Sequence, residues 1–258
     1  MDLNLSAKTA VVTGASRGIG LATVRVLIEE GARVVGAART ITPELEQAGA
    51  IAVPADLSTA KGVSDLIDSA LAQFGGIDLL VNNVGGGDQA SLSFLDADDT
   101  EWAHVFDINV LSAVRATRAA LPSLIERQGA IVNVSSTLAH QPAGSPASYG
   151  AVKAALTTLG KSLAEEFGPR VRVNTVSPGM VRTTVYQDPD APLGKFAAAS
   201  GMGLADFVQQ ILEAQNVTTG RMTEAEEVAA LIAFLLSDVA GNITGAEYVI
   251  DGGMIKTV

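Results

Sequence analysis

The chain contains no cysteine, which excludes disulfides, thiolate metal sites and cysteine nucleophiles. It has two histidines, without the carboxylate spacing of a metal site. No metal site is therefore expected, since a structural zinc would want four ligands. Positive charge is scarce as well: 17 lysines and arginines face 28 acids, for a net charge of -11. That balance argues against nucleic acid or an anionic membrane as the main partner. No uninterrupted apolar run approaches the roughly 20 residues that span a bilayer. The stretch MDLNLSAKTA lacks a basic region leading into an apolar one, so no signal peptide is expected and the cytoplasm is the default location. There is no internal repeat, low-complexity tract or obvious linker.

What is present is core material. Hydrophobic residues make up 48% of 258 residues and charged residues 17%, enough for one large α/β domain over 1–258. Seven short apolar, β-branched runs lie at 9–13, 33–37, 51–54, 77–82, 130–135, 171–177 and 246–250. Such runs suit strands buried on both faces. Helical spacing fills the gaps at 19–30, 60–74, 100–121, 147–167 and 224–236, with a turn or two of helix between Arg39 and Ile51. The alternation predicts a doubly wound, Rossmann-like, mostly parallel seven-stranded sheet with helices on both faces. The segment 182–223 carries no strand signal and reads as a substrate-side loop or lid, with a helix in ADFVQQILEA.

Residues 13–20, TGASRGIG, sit where the first strand hands over to a helix. Gly14 permits the tight turn, and Gly18 and Gly20 remove side chains where a helix N-terminus would favour a pyrophosphate. An ordinary glycine-rich turn has the same composition. The second strand ends VVGAART, with no acid to accept from a ribose 2′-hydroxyl. Arg39 stands at its tip and Arg17 in the glycine loop. Two guanidinium forks suit a 2′-phosphate, which favours NADP(H) over NAD(H); a solvated turn arginine is the plainer alternative.

Tyr149 and Lys153, in SYGAVK, are four apart and share a helix face. A phenol is a poor acid–base catalyst at neutral pH, and a neighbouring ammonium favours its ionised form. A chance surface pair is equally compatible with that spacing.

Taken together, TGASRGIG (13–20), ADL (55–57), NNVG (82–85), Asn109 in FDINV, VSS (134–136), YGAVK (149–153), SPGMVRT (177–183) and ITGAEYVIDGG (243–253) resemble the short-chain dehydrogenase/reductase family. The resemblance implies a catalytic set of Asn109, Ser136, Tyr149 and Lys153. Ser136 would orient the substrate oxygen, and Tyr149 would be the acid and base. Lys153 would bind the nicotinamide ribose and lower the Tyr149 pKa. Asn109 would hold a water in a proton relay. Cofactor contacts would come from Gly14, Ser16, Arg17, Gly18, Ile19, Gly20 and Arg39. Asp56 and Leu57 would lie at the adenine, and Asn83 and Gly85 along a ribose. Pro178, Gly179, Val181 and Thr183 would seat the nicotinamide. Val84 replaces the family's usual alanine, and Gly85 to Gly87 lengthen the motif.

The implied activity is interconversion of a carbonyl and a secondary alcohol on a small, mostly neutral substrate. Two alternatives remain. One is a 3-ketoacyl-carrier-protein reductase, which would need a basic patch, for instance from Arg127, Arg170 and Arg172, to meet an acidic carrier. The other is a dinucleotide sensor without chemistry. His104 reads as a helix-surface residue, Trp102 as core, Arg115 and Arg118 as a solvated face or subunit contact, and His140 as a possible substrate contact. Small residues at Ala113, Ala116, Ala119, Ala120, Ala151, Ala154, Ala155 and Thr158 suit a subunit interface. The resemblance implies a homotetramer, which sequence alone does not separate from a dimer.

Overall fold

The seven apolar runs become the strands of one sheet. In the computed structural model, residues 2–86, 90–91, 93–142 and 145–257 are described; Gly87, part of the lengthened glycine motif, lies outside them. The first half runs β1 (Thr9–Thr13), α1 (Gly18–Glu29), β2 (Arg33–Ala38), α2 (Pro43–Gln47), β3 (Ile51–Pro54), α3 (Ala60–Phe74) and β4 (Leu79–Asn82). The second runs α4 (Asp99–Phe106), α5 (Ser112–Glu126), β5 (Ala130–Val134), α6 (Ala147–Phe167) and β6 (Arg172–Pro178). Then come β7 (Val181–Arg182), α7 (Thr184–Gln187), α8 (Pro192–Ala199), α9 (Leu204–Ala214), β8 (Thr223–Glu224), α10 (Ala225–Leu236) and β9 (Glu247–Ile250).

The strand order is β3-β2-β1-β4-β5-β6-β9, and every pairing is parallel. Alternate residues of each strand feed two cores. Ala10, Val12, Val34, Val81 and Val132 face α1 and α10. Val11, Val35, Leu80, Ile131 and Val173 face α3, α5 and α6. Order reverses between β1 and β4, and a crevice opens there at the carboxyl ends of the strands.

Three expectations need correction. The helix expected over 100–121 is broken: α4 ends at Phe106, residues Asp107–Leu111 form a π-helical turn, and α5 continues to Glu126 with Pro122 inside it. Trp102 is half-buried rather than core, edge-on to exposed Phe94 at 6.4 Å between centroids. The segment 182–223 holds two short helices besides α9, and the two-residue ribbon β7–β8 closes its base. Strand ends elsewhere shift by a residue or two, as frayed boundaries do. Among the described residues no helix is long and apolar enough to cross a membrane.

Arg172 illustrates how position overrides composition. Instead of joining a surface patch, its guanidinium donates to Leu235 O at 2.7 Å, Leu236 O at 3.1 Å and Ser237 O at 2.9 Å. These are orphan carbonyls at the end of α10. Arg172→Ala should lose about 2–3 kcal/mol of stability in urea unfolding, with NADPH affinity unchanged. A loss below about 0.5 kcal/mol, the ordinary surface value, would show that these bonds are not needed.

Candidate active site

The glycine loop is built as a cradle. Gly14 and Gly18 adopt φ of +67° and +54°, a left-handed region that side chains disfavour. A Cβ on Gly20 would fall 2.1 Å from Gly14 O, and one on Gly18 would fall 3.1 Å from Thr183 Cγ2. The loop therefore folds back on itself and lies against Thr183. The N-cap of α1 is Arg17, which gives no side-chain cap to the first turn. Uncapped helix N–H groups beside bare glycines suit a pyrophosphate. Ile19 packs on the core, and Ser16 O accepts from Thr42 Oγ1 at 3.0 Å. Arg17 and Arg39 are both exposed.

Thr13 ties the crevice together, a role the sequence did not announce. Its hydroxyl donates to Val81 O at 3.1 Å and accepts from Asn83 N at 2.9 Å and Val84 N at 3.0 Å. Asn83 Nδ2 donates to Thr13 O and Gly14 O at 2.8 and 3.1 Å. Val84 packs its larger side chain against the core beneath α3 and α5. Asp56 accepts from Ser58 Oγ at 2.7 Å and Ser58 N at 3.1 Å, and these bonds hold its carboxyl below its ordinary value. Leu57 is buried beside it.

The catalytic candidates converge at the ends of β4 and β5. Lys153 is buried, and its Nζ donates to Val134 O at 3.0 Å. The same Nζ lies 5.6 Å from the centroid of the Tyr149 ring. Burial pushes the Lys153 ammonium down to about 8. Among the described residues no ion pair involves it. A Cβ on Gly85 would stand 3.1 Å from Lys153 Nζ and 2.4 Å from Asn109 Oδ1, so these three residues meet.

Asn109 sits in the π-helical turn, fully buried. Such turns recur at functional sites. Its Oδ1 accepts from Gly86 N at 3.1 Å, and its Nδ2 donates to Gly86 O at 3.0 Å and Val105 O at 2.9 Å. Ser136 Oγ accepts from Leu138 N at 3.2 Å, which leaves its hydrogen for another oxygen. Ser135, which sequence reasoning passed over, anchors the helix: its Oγ donates to Lys153 O at 2.9 Å and accepts from Thr157 Oγ1 at 2.9 Å. The doubled serine in VSS was the available signal.

At the far side, Gly179 donates its N–H to Ile250 O at 3.0 Å, and a Cβ there would meet Asp251 Cβ at 2.8 Å. Pro178 ends β6, and Val181 is buried in β7. Of the lid residues, Tyr186, Leu193 and Leu204 pack with Met180, Val208 and Leu212. Val185 and Phe196 remain exposed. A groove of about 460 Å³ opens among Arg182, Tyr186, Leu204, Val208, Leu212 and Met222. Arg182 there pairs with Glu224 at 2.9 Å. His140 is not near a cluster of ligands, yet it does have a carboxylate: Glu247, 107 residues away, at 2.7 Å. No group of three histidines or acids able to hold a metal occurs among the described residues.

A family model described as enoyl-(acyl carrier protein) reductase matches residues 14–255. The chain is 35% identical to 3beta-hydroxysteroid dehydrogenase 1 of Eggerthella lenta, over 97% of this chain and 95% of that protein. It is 33% identical to the 3-oxoacyl-[acyl-carrier-protein] reductase FabG of Vibrio cholerae, over 98% and 99%. It matches the crystal structure of L-sorbose reductase from Gluconobacter frateurii, complexed with NADPH and L-sorbose, with TM-score 0.91, 33% identity and 100% coverage of both chains.

The depressed lysine has a measurable consequence. At pH 7 Lys153 is charged in both the folded and the unfolded chain, so the burial cost is present in full. Above about 8 the folded protein sheds this proton, while the unfolded chain keeps it to about 10.5. Stability must therefore rise with pH across that window. The unfolding free energy of wild type minus that of Lys153→Met should increase by on the order of 2 kcal/mol between roughly pH 7.5 and 10. A flat difference would mean that the ammonium is not desolvated.

Proposed function

The chain belongs to the short-chain dehydrogenase/reductase family of oxidoreductases, and from that premise we propose that it moves hydride between NADP(H) and a small, mostly neutral carbonyl or secondary alcohol. The observation that carries this reading is the buried Lys153 ammonium 5.6 Å from the Tyr149 ring. When bound, the dinucleotide supplies or accepts the hydride. Tyr149 gives the carbonyl oxygen its proton in reduction and removes it in oxidation. Ser136 donates a second hydrogen bond to that oxygen, and two donors aimed at one atom stabilise its growing negative charge. Lys153 holds the ribose hydroxyls and, as a cation, favours the phenolate. Asn109, locked to Gly86 and Val105, keeps the π-helical turn open beside Lys153 for a water.

Gly14, Ser16, Arg17, Gly18, Ile19 and Gly20 cradle the pyrophosphate. Arg17 and Arg39 read a 2′-phosphate, supported by the missing acid after β2 and by a relative complexed with NADPH. Asp56 and Leu57 border the adenine, and Asn83 and Gly85 the ribose. Pro178, Gly179, Val181 and Thr183 seat the nicotinamide.

The whole chain acts as one catalytic unit in the cytoplasm, with 182–223 as its lid. A neutral substrate is supported by the lid's charge balance, since Arg182 and Arg221 are matched by Glu224 and Glu227. The carrier-protein alternative draws on the FabG likeness but loses its basic patch. Arg127 pairs with Asp78 at 3.6 Å before β5, and Arg172 begins β6, both at the edge opposite the crevice. The sensor alternative leaves the convergence of Lys153, Asn109 and Tyr149 without purpose. Assembly is proposed as a homotetramer. Ala116 and Ala120 are spent on the internal core, so contact would fall to exposed Ala119, Ala151 and Thr158.

Tyr149→Phe should keep NADPH affinity and lose turnover by about 10²–10⁴ in an NADPH absorbance assay over ketones and aldehydes; full activity removes the assignment. Arg39→Asp should shift the ratio of specificity constants from NADPH towards NADH. An unchanged ratio shows that another group reads the ribose.

A further inference from the structure

His140 closes the short 3-10 turn, Thr137–Ala139, that Ser136 begins. Its N–H donates to Thr137 O at 3.0 Å, so its backbone is part of that turn. Its ring reaches Glu247 Oε1 at 2.7 Å, and Ser177 Oγ donates to the same oxygen at 2.5 Å. A carboxylate can only accept, so the ring carries its hydrogen on Nε2. Glu247 opens β9, the edge strand, in register with Thr175 of β6. Ser177 is fully buried and immediately precedes Pro178 and Gly179. One carboxylate oxygen thus joins the turn that carries Ser136 to the strand that leads into the nicotinamide seat. The side chain of Glu247 is only 21% exposed, so the bonds to it are partly shielded from water. Charge-assisted hydrogen bonds of this kind are roughly twice as strong as neutral ones.

We propose that Glu247 is a positioning residue which, through His140 and Ser177, fixes the distance between the Ser136 hydroxyl and the nicotinamide seat. The proposal rests on the reading of Ser136 and Tyr149 given above. Hydride transfer needs donor carbon and carbonyl held in near-attack geometry, and a misplacement of about 1 Å can cost up to 100-fold in rate. The turn is one helical turn long; its start is capped by Ser136 Oγ, which accepts from Leu138 N, and backbone bonds from Ala139 N to Ser136 O and from Gln141 N to Thr137 O hold it locally, while the His140 ring is its side-chain tie to β9. Loosening its far end lets the serine hydroxyl wander while the glycine cradle and the dinucleotide grip stay intact. Loss of the tie should therefore appear in kcat rather than in cofactor affinity.

The test compares His140→Ala, Glu247→Ala, the double variant and Glu247→Gln. Turnover is followed with a ketone that the wild type reduces, using NADPH and NADPH deuterated at the transferred position. NADPH affinity is followed by fluorescence. Each alanine variant should lose kcat about tenfold, with NADPH affinity within about twofold. The double variant should be no worse than either single one, because both cut the same tie. The deuterium isotope effect on kcat should grow as hydride transfer becomes slow. Glu247→Gln keeps an acceptor oxygen and should recover most of the lost rate. His140 is exposed, so His140→Ala carries the test even if Glu247→Ala does not fold. Full turnover in His140→Ala, or multiplied losses with an unchanged isotope effect, overturns the tie alone. A wild type inert towards every carbonyl overturns the reading of Tyr149, and the tie with it.

Discussion

The site depends on one desolvated cation. Lys153 is buried, and its ammonium donates to the backbone carbonyl of Val134 at 3.0 Å. A buried charge without a carboxylate is costly, and that cost appears as a pKa pushed down to about 8. The fold makes the arrangement possible. Ser135 binds the carbonyl of Lys153 itself, so strand and helix cannot slide past each other. Gly85 leaves room where any side chain would collide with Asn109. The π-helical turn sets Asn109 against the same space. The destabilisation is local and sits where an electrostatic effect on a neighbouring phenol has most value, because low dielectric strengthens it.

Much of this was legible in the chain. Strand and helix alternation, the doubly wound parallel sheet and the position of the glycine loop followed from apolar period and from where glycines interrupt it. Tyr149 and Lys153 shared a face because four residues make about one helical turn. What escaped was set by tertiary geometry. The break in the helix over 100–121 left no proline or glycine as a signal, and Pro122, a usual stop, was absorbed inside α5. Arg172 looked like surface charge but caps α10. His140 found its carboxylate across two strands, from a residue with no local reason to be near it. Thr13 and Ser135, each small and unremarkable in sequence, proved to be the ties that hold strands to crevice and helix.

Charge distribution fits a site for a neutral molecule. The chain is strongly acidic overall, and four of its arginines are paired within the fold: Arg115 with Ser58 O and Asp107, Arg127 with Asp78, Arg182 with Glu224 and Arg221 with Glu227. Arg115 is half-buried by these bonds rather than a solvated face. Arg17 and Arg39 are exposed beside the glycine cradle.

The most direct measurement is a pH titration of the lysine side chains by NMR, with ¹³C at the ε position and Lys153→Met to assign the signal. The expected result is one resonance, missing from the variant, with a midpoint of about 8. If every lysine resonance instead titrates near its ordinary 10.5, the ammonium beside Tyr149 is solvated, and the electrostatic basis of the site is wrong.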